Sequence, residues 1–469
     1  MMETCSMRQI TDIEIKDRLA FDNPWWETNE VENRFRSLPF RSYFQEFYTL
    51  IKSADVRRAV VLMGPRRVGK TVMINQAVTR LIDDGIDPKH IMAVSLEAPT
   101  YTGKTLEDLL GLFQDLHGHD RNSRLFVFYD EIQYHKDWER HLKSLVDSYH
   151  SIQFVVSGSA AAALKLKSVE SGAGRFTDFT LPPLLFSEFL RFRGAPEPAI
   201  IRDDTPRLNR FFVEYLNFGG FPEVVLNEAI RRDMPRFVAD DIISKVLLRD
   251  LPSLYGITDT QELNRLFNVI AYNTGFEANV PELSTSSGVS ANTIKKYLDY
   301  LEAAFLIHRV YRVDQNARRF RKRSQFKVYL TNPSMRAALF DANADLSQEN
   351  DPAMGALCET AYVAQHRLTR EIDDIHYGRW KTGEVDFVYL DKRKQRVSAV
   401  DEVKWSDRIF NHPEELKELI GFCQRNSLHD AWVLTRSFRG ERHIDGIRVD
   451  FIPVAEKCLE FGVTNLPWR

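Results

Sequence analysis

The chain has 469 residues, 63 basic against 66 acidic, for a net charge of −3; the length points to about three units at roughly 100–200 residues each. The charge balance excludes a polyanion binder acting through bulk charge, so any nucleic-acid contact has to come from local basic patches. Four dispersed cysteines, Cys5, Cys358, Cys423 and Cys458, exclude a disulfide framework or metal knuckle and favour a reducing cytoplasm, and neither a signal-peptide core nor an apolar run near the ~18 residues of a bilayer span is present, so no membrane contact is expected.

Residues 1–42 read as an N-terminal arm of short helical pieces, with Trp25 and Trp26 as packing. Phe44 to Lys52 has amphipathic helical spacing. Alternation of strand and helix then begins. Ala59–Met63 is an apolar run ended by Gly64 and Pro65, as in a buried parallel strand. Thr71–Leu81 carries Val72, Ala77, Val78 and Leu81 at helical spacing and stops before Gly85. Strands are expected at 91–96, 125–129 and 152–156, with helices at 106–116 and 138–149. Such alternation predicts a parallel sheet covered by helices.

Gly64, Pro65, Arg66, Arg67, Val68, Gly69, Lys70 and Thr71 follow the pattern Gly-x-x-x-x-Gly-Lys-Thr between a strand and a helix. In that setting backbone N–H groups face the phosphates of a nucleotide and the helix N-terminus favours their charge. Lys70 is placed to reach the β- and γ-phosphates of ATP, and the Thr71 hydroxyl to ligate Mg²⁺. The strand at 125–129 delivers Asp130, a Mg²⁺ holder, and Glu131, which can polarise the attacking water; a helix-capping acid pair would read the same way. After 152–156 come Ser157, Gly158 and Ser159. A polar group there can contact the γ-phosphate or the water, and a serine-capped turn fits equally. Arg175 can stabilise transition-state charge in a neighbouring subunit, or be a surface arginine.

The loop, the Tyr129-Asp130-Glu131-Ile132-Gln133-Tyr134 run with Asp137 and Trp138, the serines at 157 and 159, Gly172 to Phe176 and Leu181 to Phe189 together resemble a large prokaryotic group of AAA-type P-loop ATPases. The resemblance covers nearly the whole chain. It implies an AAA core with Arg175 as arginine finger and Ser159 as sensor, acting in a homo-oligomer. The group's C-terminal region is itself similar to restriction-endonuclease-like folds.

Residues 208–272 read as mostly helical, and 279–313 as a helix-turn-helix followed by a strand. In the second helix, Ile294, Leu298 and Leu301 face inward, while Asn292, Thr293, Lys295 and Lys296 face out, where a recognition helix places its readers. A basic turn follows, Arg318, Arg319, Phe320, Arg321, Lys322 and Arg323, suited to a DNA-contacting wing. Winged helices also serve as protein-contact modules, and charge runs also form solvated turns.

Further on, Glu359, Asp386, Glu402 and Lys404 form a nuclease-like set. Alternation puts Glu384, Asp386 and Val388 on one strand face and Val385 and Phe387 on the other, with Glu402 and Lys404 sharing a face of the next strand. Acids and a lysine on adjacent strands can hold Mg²⁺ and orient water toward a phosphodiester. The set looks like the Asp…Glu-x-Lys signature of restriction-endonuclease-like folds, which implies Asp386 and Glu402 as metal ligands, Lys404 as stabiliser and Glu359 as auxiliary acid. Val385 stands where that signature often has proline. A cross-strand salt-bridge pattern gives the same residues.

The expected architecture is α/β: an arm (1–42), an AAA-type P-loop domain (43–200), a helical lid (201–275), a winged helix (276–345) and a restriction-endonuclease-like α/β domain (346–469). Two readings stay open. In one, ATP hydrolysis drives a DNA-binding tail, with cleavage undecided. In the other, the protein is an ATP-dependent oligomerising switch whose nuclease-like domain recognises without cutting.

Overall fold

The computed structural model describes residues 10–53, 57–158, 174–319, 325–340, 344–345, 352–366, 375–391 and 396–465. It divides into two compact units that meet in sequence at Leu181 and Pro182.

The first unit is built on five parallel strands: β1 (Ala59–Met63), β2 (Ile91–Ser95), β3 (Leu125–Asp130), β4 (Ile152–Gly158) and β5 (Phe176–Thr180). They lie in the order β2-β3-β4-β1-β5. β1 and β3 are buried at every position, which explains why both read as unbroken apolar runs. β4 lies between them, so the loop after β1 and the acids ending β3 are about two strand spacings, roughly 10 Å, apart at the backbone. The arm is pinned to the sheet. Both indole N–H groups of Trp25 and Trp26 donate to the Ile91 carbonyl, at 3.0 and 2.8 Å.

The second unit carries a nine-stranded sheet: β6 (Glu277–Asn279), β7 (Ile307–Val313), β8 (Gln325–Leu330), β9 (Ile375–Arg379), β10 (Glu384–Leu390), β11 (Val397–Val403), β12 (Asp430–Thr435), β13 (Gly440–Ile444) and β14 (Ile447–Pro453). Its order is β13-β14-β12-β11-β10-β9-β7-β8-β6. The sequence boundary drawn at 345/346 thus falls between strands of one sheet. β7 would otherwise be an open edge, and it pairs in parallel with β9, Tyr311 opposite His376. The segment expected as a lid also belongs here. Its helix Thr205–Phe218 buries Phe212 against Phe186 and Trp405, with ring centroids 5.3 and 6.0 Å apart.

Helices cover this sheet on two sides. One core joins Phe387, Val403 and Leu434 to Cys358 and Tyr362 of the helix Pro352–His366. The other joins Val385, Val388 and Val433 to Leu419 and Phe422 of the helix Lys417–Arg425. Strict alternation along β10 therefore fails. Val385 and Val388 share a core, and Phe387 faces the other. The β9–β10 pairing shifts register between Val385 and Val388, and an irregularity of that kind changes the facing of whatever follows it. Among the described residues, no helix is long and apolar enough to cross a membrane.

Candidate functional sites: a phosphate loop and a carboxylate–lysine cleft

Gly64 turns the chain out of β1 where no side chain fits: a Cβ there would lie 2.2 Å from the Leu181 carbonyl oxygen. The loop ends at Gly69, whose φ of 95° caps the helix Lys70–Asp83. Lys70 is buried and donates to the carbonyls of Gly64 and Pro65, at 3.1 and 2.8 Å, so its ammonium lies along the loop where phosphates would sit. Thr71 Oγ1 donates to Asp130 Oδ2 at 2.6 Å. Loop and acid strand, separated by β4, are thus joined through side chains. A hydroxyl and a carboxylate converging in this way suit the oxygen-ligand chemistry of Mg²⁺. Val68 lies within the loop; its carbonyl accepts from the buried guanidinium of Arg41 at 2.7 Å. Arg66 is partly exposed and Arg67 exposed, with Arg67 at φ 64°.

Glu131 sits at φ 55°, an uncommon conformation for a residue with a side chain. Its N–H donates to Asp130 Oδ1 at 3.1 Å and to Ser157 Oγ at 3.4 Å, and its carboxylate accepts from Gln133 Nε2. Burial raises its pKa, and the Asp130 charge adds to this against the pull of Lys70. A carboxylate so placed can take a proton more readily than an exposed one. Ser157, at the end of β4 and fully buried, donates to Asp130 Oδ1. Ser159 lies outside the described residues. The signal for Ser157 was its place at a strand end between loop and acid strands.

Arg175 lies at the start of β5, and its carbonyl accepts from Ala59 N at 2.9 Å. That is the opposite end of the strands from the phosphate loop. Its half-exposed side chain pairs with Asp147. The structure therefore does not bring Arg175 to its own chain's loop.

In the second unit, Glu359, Asp386, Glu402 and Lys404 come together, lining one cleft of about 550 Å³. Lys404 Nζ is 2.7 Å from Glu402 Oε1 and 3.8 Å from Asp386 Oδ2. Asp386 Oδ2 accepts from the Val403 amide at 3.0 Å, and Glu402 Oε2 from the Asp386 amide at 3.2 Å. The sequence reading missed Lys327 of β8. Its buried Nζ lies 2.8 Å from Glu384, 3.2 Å from Glu359 and 3.5 Å from Asp386. Tyr329 donates to Glu359 at 2.8 Å. Burial pushes Glu359 up to about 7 against the pull of Lys327, and burial with the Asp386 charge pushes Glu402 up to about 6. Burial also acts to raise Asp386, but Lys404, Lys327 and the Val403 amide hold it below the usual carboxylate value. Lys404 is raised, first by Glu402.

The carboxylates do not converge as a metal site. Among the described residues, no group of three or more His, Cys, Asp or Glu side chains is disposed to hold an ion. The expected metal pair, Asp386 and Glu402, is instead tied to two lysines and two backbone amides: Lys404 meets both acids and Lys327 meets Asp386.

The helix pair lies beside this sheet. Asn279 caps the helix Val280–Ser287, which ends at Gly288, and Ser290 caps the helix Ala291–Ala303. Ile294, Leu298 and Leu301 are buried as expected, with Tyr297; Lys295 and Lys296 are exposed. β6, which precedes the pair, bonds to β8, so the pair abuts a β6-β8-β7 sheet. Arg318 and Arg319 are exposed at the start of the turn after β7; Arg321, Lys322 and Arg323 lie outside the described residues.

Residues 56–190 match the family model of an AAA domain, and residues 209–346 match a domain of unknown function, DUF8612. The first unit thus carries an AAA-type P-loop domain. An uncharacterized protein of Haemophilus influenzae is 25% identical over 417 residues, covering 88% of this chain and 96% of that protein. One of Methanocaldococcus jannaschii is 23% identical over 363 residues, covering 74% and 76%. A structure of the replication initiator DnaA bound to AMPPCP and single-stranded DNA aligns with 58% of this chain and 92% of that one, at 11% identity and a TM-score of 0.28. A likeness of that size says nothing of function.

Proposed function

We propose that this protein binds and hydrolyses ATP at the 64–71 loop and couples the nucleotide state to a DNA-binding second unit. The observation that carries the reading is the Thr71–Asp130 contact at 2.6 Å, with Glu131 next in sequence, in front of a glycine loop that only a backbone without a side chain can form. Lys70 leaves the carbonyls of Gly64 and Pro65 to meet the β- and γ-phosphates. Thr71 and Asp130 would hold Mg²⁺, which would supply neutralisation of the phosphate charge. Glu131 takes the proton of the attacking water, and Ser157 orients Asp130. Arg175, at the far end of the strands, serves a neighbouring subunit's nucleotide, so the active form is a homo-oligomer. The helix pair with its β6-β8-β7 sheet is read as a winged helix, with Lys295, Lys296 and Arg318 meeting DNA phosphates.

The cleft is read as a restriction-endonuclease-like site. Of its two readings, cleavage or recognition without cutting, the contacts of Lys327 favour the second. Plasmid nicking with Mg²⁺ that disappears in Asp386→Ala would decide for cleavage instead. For the ATPase, Lys70→Ala is expected to abolish most phosphate release from ATP by the purified full chain; unchanged release would remove the assignment.

A further inference from the structure

We infer that Lys327 is the resident cation of the C-terminal cleft: its ammonium fills the place a divalent metal would take, and the cleft admits metal only when that ammonium is removed. The inference rests on the nuclease-like reading of the cleft.

The argument starts from matching donors to acceptors. An ammonium has three N–H bonds and no acceptor, and Lys327 Nζ has three carboxylate neighbours, Glu384, Glu359 and Asp386, within 3.5 Å. These come from two elements, two acids from β10 and one from the helix Pro352–His366. The lysine side chain is 5% exposed, so its charge is held by those carboxylates rather than by water. Tyr329, from the same strand, donates to the Glu359 oxygen that faces Lys327 and fixes it in place.

A divalent ion bound to the same acids would need their oxygens at about 2.0–2.6 Å. It would then lie within a few ångströms of the ammonium, two cations in a site with little water, and the repulsion at low effective dielectric is severe. One cation at a time is the stable arrangement. Lys404 does not fill this place. It lies on the other side of Asp386, paired to Glu402 and 40% exposed. The cleft therefore has an outer lysine of the kind a phosphodiester-cutting site uses and an inner one that such a site has no place for. Removing the inner ammonium leaves three acids with only Lys404, 3.8 Å from Asp386, and Arg379, 3.4 Å from Glu384, beside them, an excess of negative charge that draws in a cation.

The test is Mn²⁺ binding to the full chain without nucleotide, followed by the loss of the free-ion electron paramagnetic resonance signal. Wild type, Lys327→Met, and Lys327→Met with Asp386→Asn are compared. Lys327→Met is expected to bind one more Mn²⁺ per chain than wild type, at least roughly tenfold more tightly than any ion wild type takes up at the cleft. The double variant is expected to lose it. Equal binding by wild type and Lys327→Met overturns the inference. If Lys327→Met does not fold, wild type is compared with Glu359→Gln: identical Mn²⁺ binding supports the inference, and an ion held by wild type and lost in Glu359→Gln overturns it. The readout involves no DNA. Failure of the nuclease-like reading would appear separately, as Lys327→Met that binds Mn²⁺ yet neither cuts nor binds DNA.

Discussion

At the phosphate loop, Lys70 rests on the carbonyls of Gly64 and Pro65 and leaves Asp130 to Thr71 and Ser157. In the C-terminal cleft, Lys327 rests on Glu359, Glu384 and Asp386 themselves. Both sites bury a lysine close to acids. In the first, the lysine donates to two loop carbonyls, which an anionic ligand can replace, while its charge also acts on Glu131. In the second, the lysine is itself paired with the acids. A lysine close to carboxylates is therefore no guide to chemistry until its own partners are named.

The same substitution at the two lysines should separate the sites most widely. Lys70→Met is expected to lower kcat for ATP hydrolysis by roughly 100- to 1,000-fold, the usual cost of removing a donor aimed at developing charge. Lys327→Met is expected to cost about 3–5 kcal/mol of stability, the range for breaking a buried ion pair from one side; denaturant melts of the full chain measure it, and a loss under roughly 1 kcal/mol would place the pair with exposed ones. Smaller in size, Lys295→Ala and Lys296→Ala should each weaken duplex DNA binding uniformly across sequences and reduce the salt slope by about 1, as read by anisotropy against salt. Unaltered slopes would remove the helix from the DNA contact.

The smallest effect concerns pH. Glu359 is raised from 4.5 to about 7, so its protonated form is the one the fold favours. Its contribution is fully present below pH 4.5 and is lost as pH rises through about 7. Lys327, Asp386, Glu384, Lys404 and the Tyr329 hydroxyl share that environment, so the slope belongs to the cluster. Glu359→Gln should flatten the fall of melting temperature between pH 5 and 8. An unchanged slope would assign it to Glu402, raised to about 6.

The phosphate loop was legible in sequence because its parts are local: a buried strand, a fixed spacing and a helix start, with Asp130 and Glu131 ending another buried strand. The contact of Ser157 with Asp130 needed the strand pairing itself, which sets the end of β4 beside the end of β3. Glu359, Asp386, Glu402 and Lys404, grouped from the sequence, do meet in one cleft. Lys327 was not grouped with them. It lies 59 residues before Asp386, in a strand that reads as part of a winged helix, and only the β7–β9 pairing, absent from any local pattern, joins the two segments in one sheet. The facing of Val388 was misread for a similar reason, because a register shift leaves no mark on the alternation of residue types.

The central claim, hydrolysis of ATP at the Lys70–Asp130–Glu131 site, is tested most directly by separating binding from chemistry in Glu131→Gln. Nucleotide affinity and phosphate release are measured on the same protein. ATP binding is expected to stay within about threefold of wild type, while kcat falls by roughly 100- to 10,000-fold, the span that a general base contributes. Release at the wild-type rate from Glu131→Gln would contradict the account.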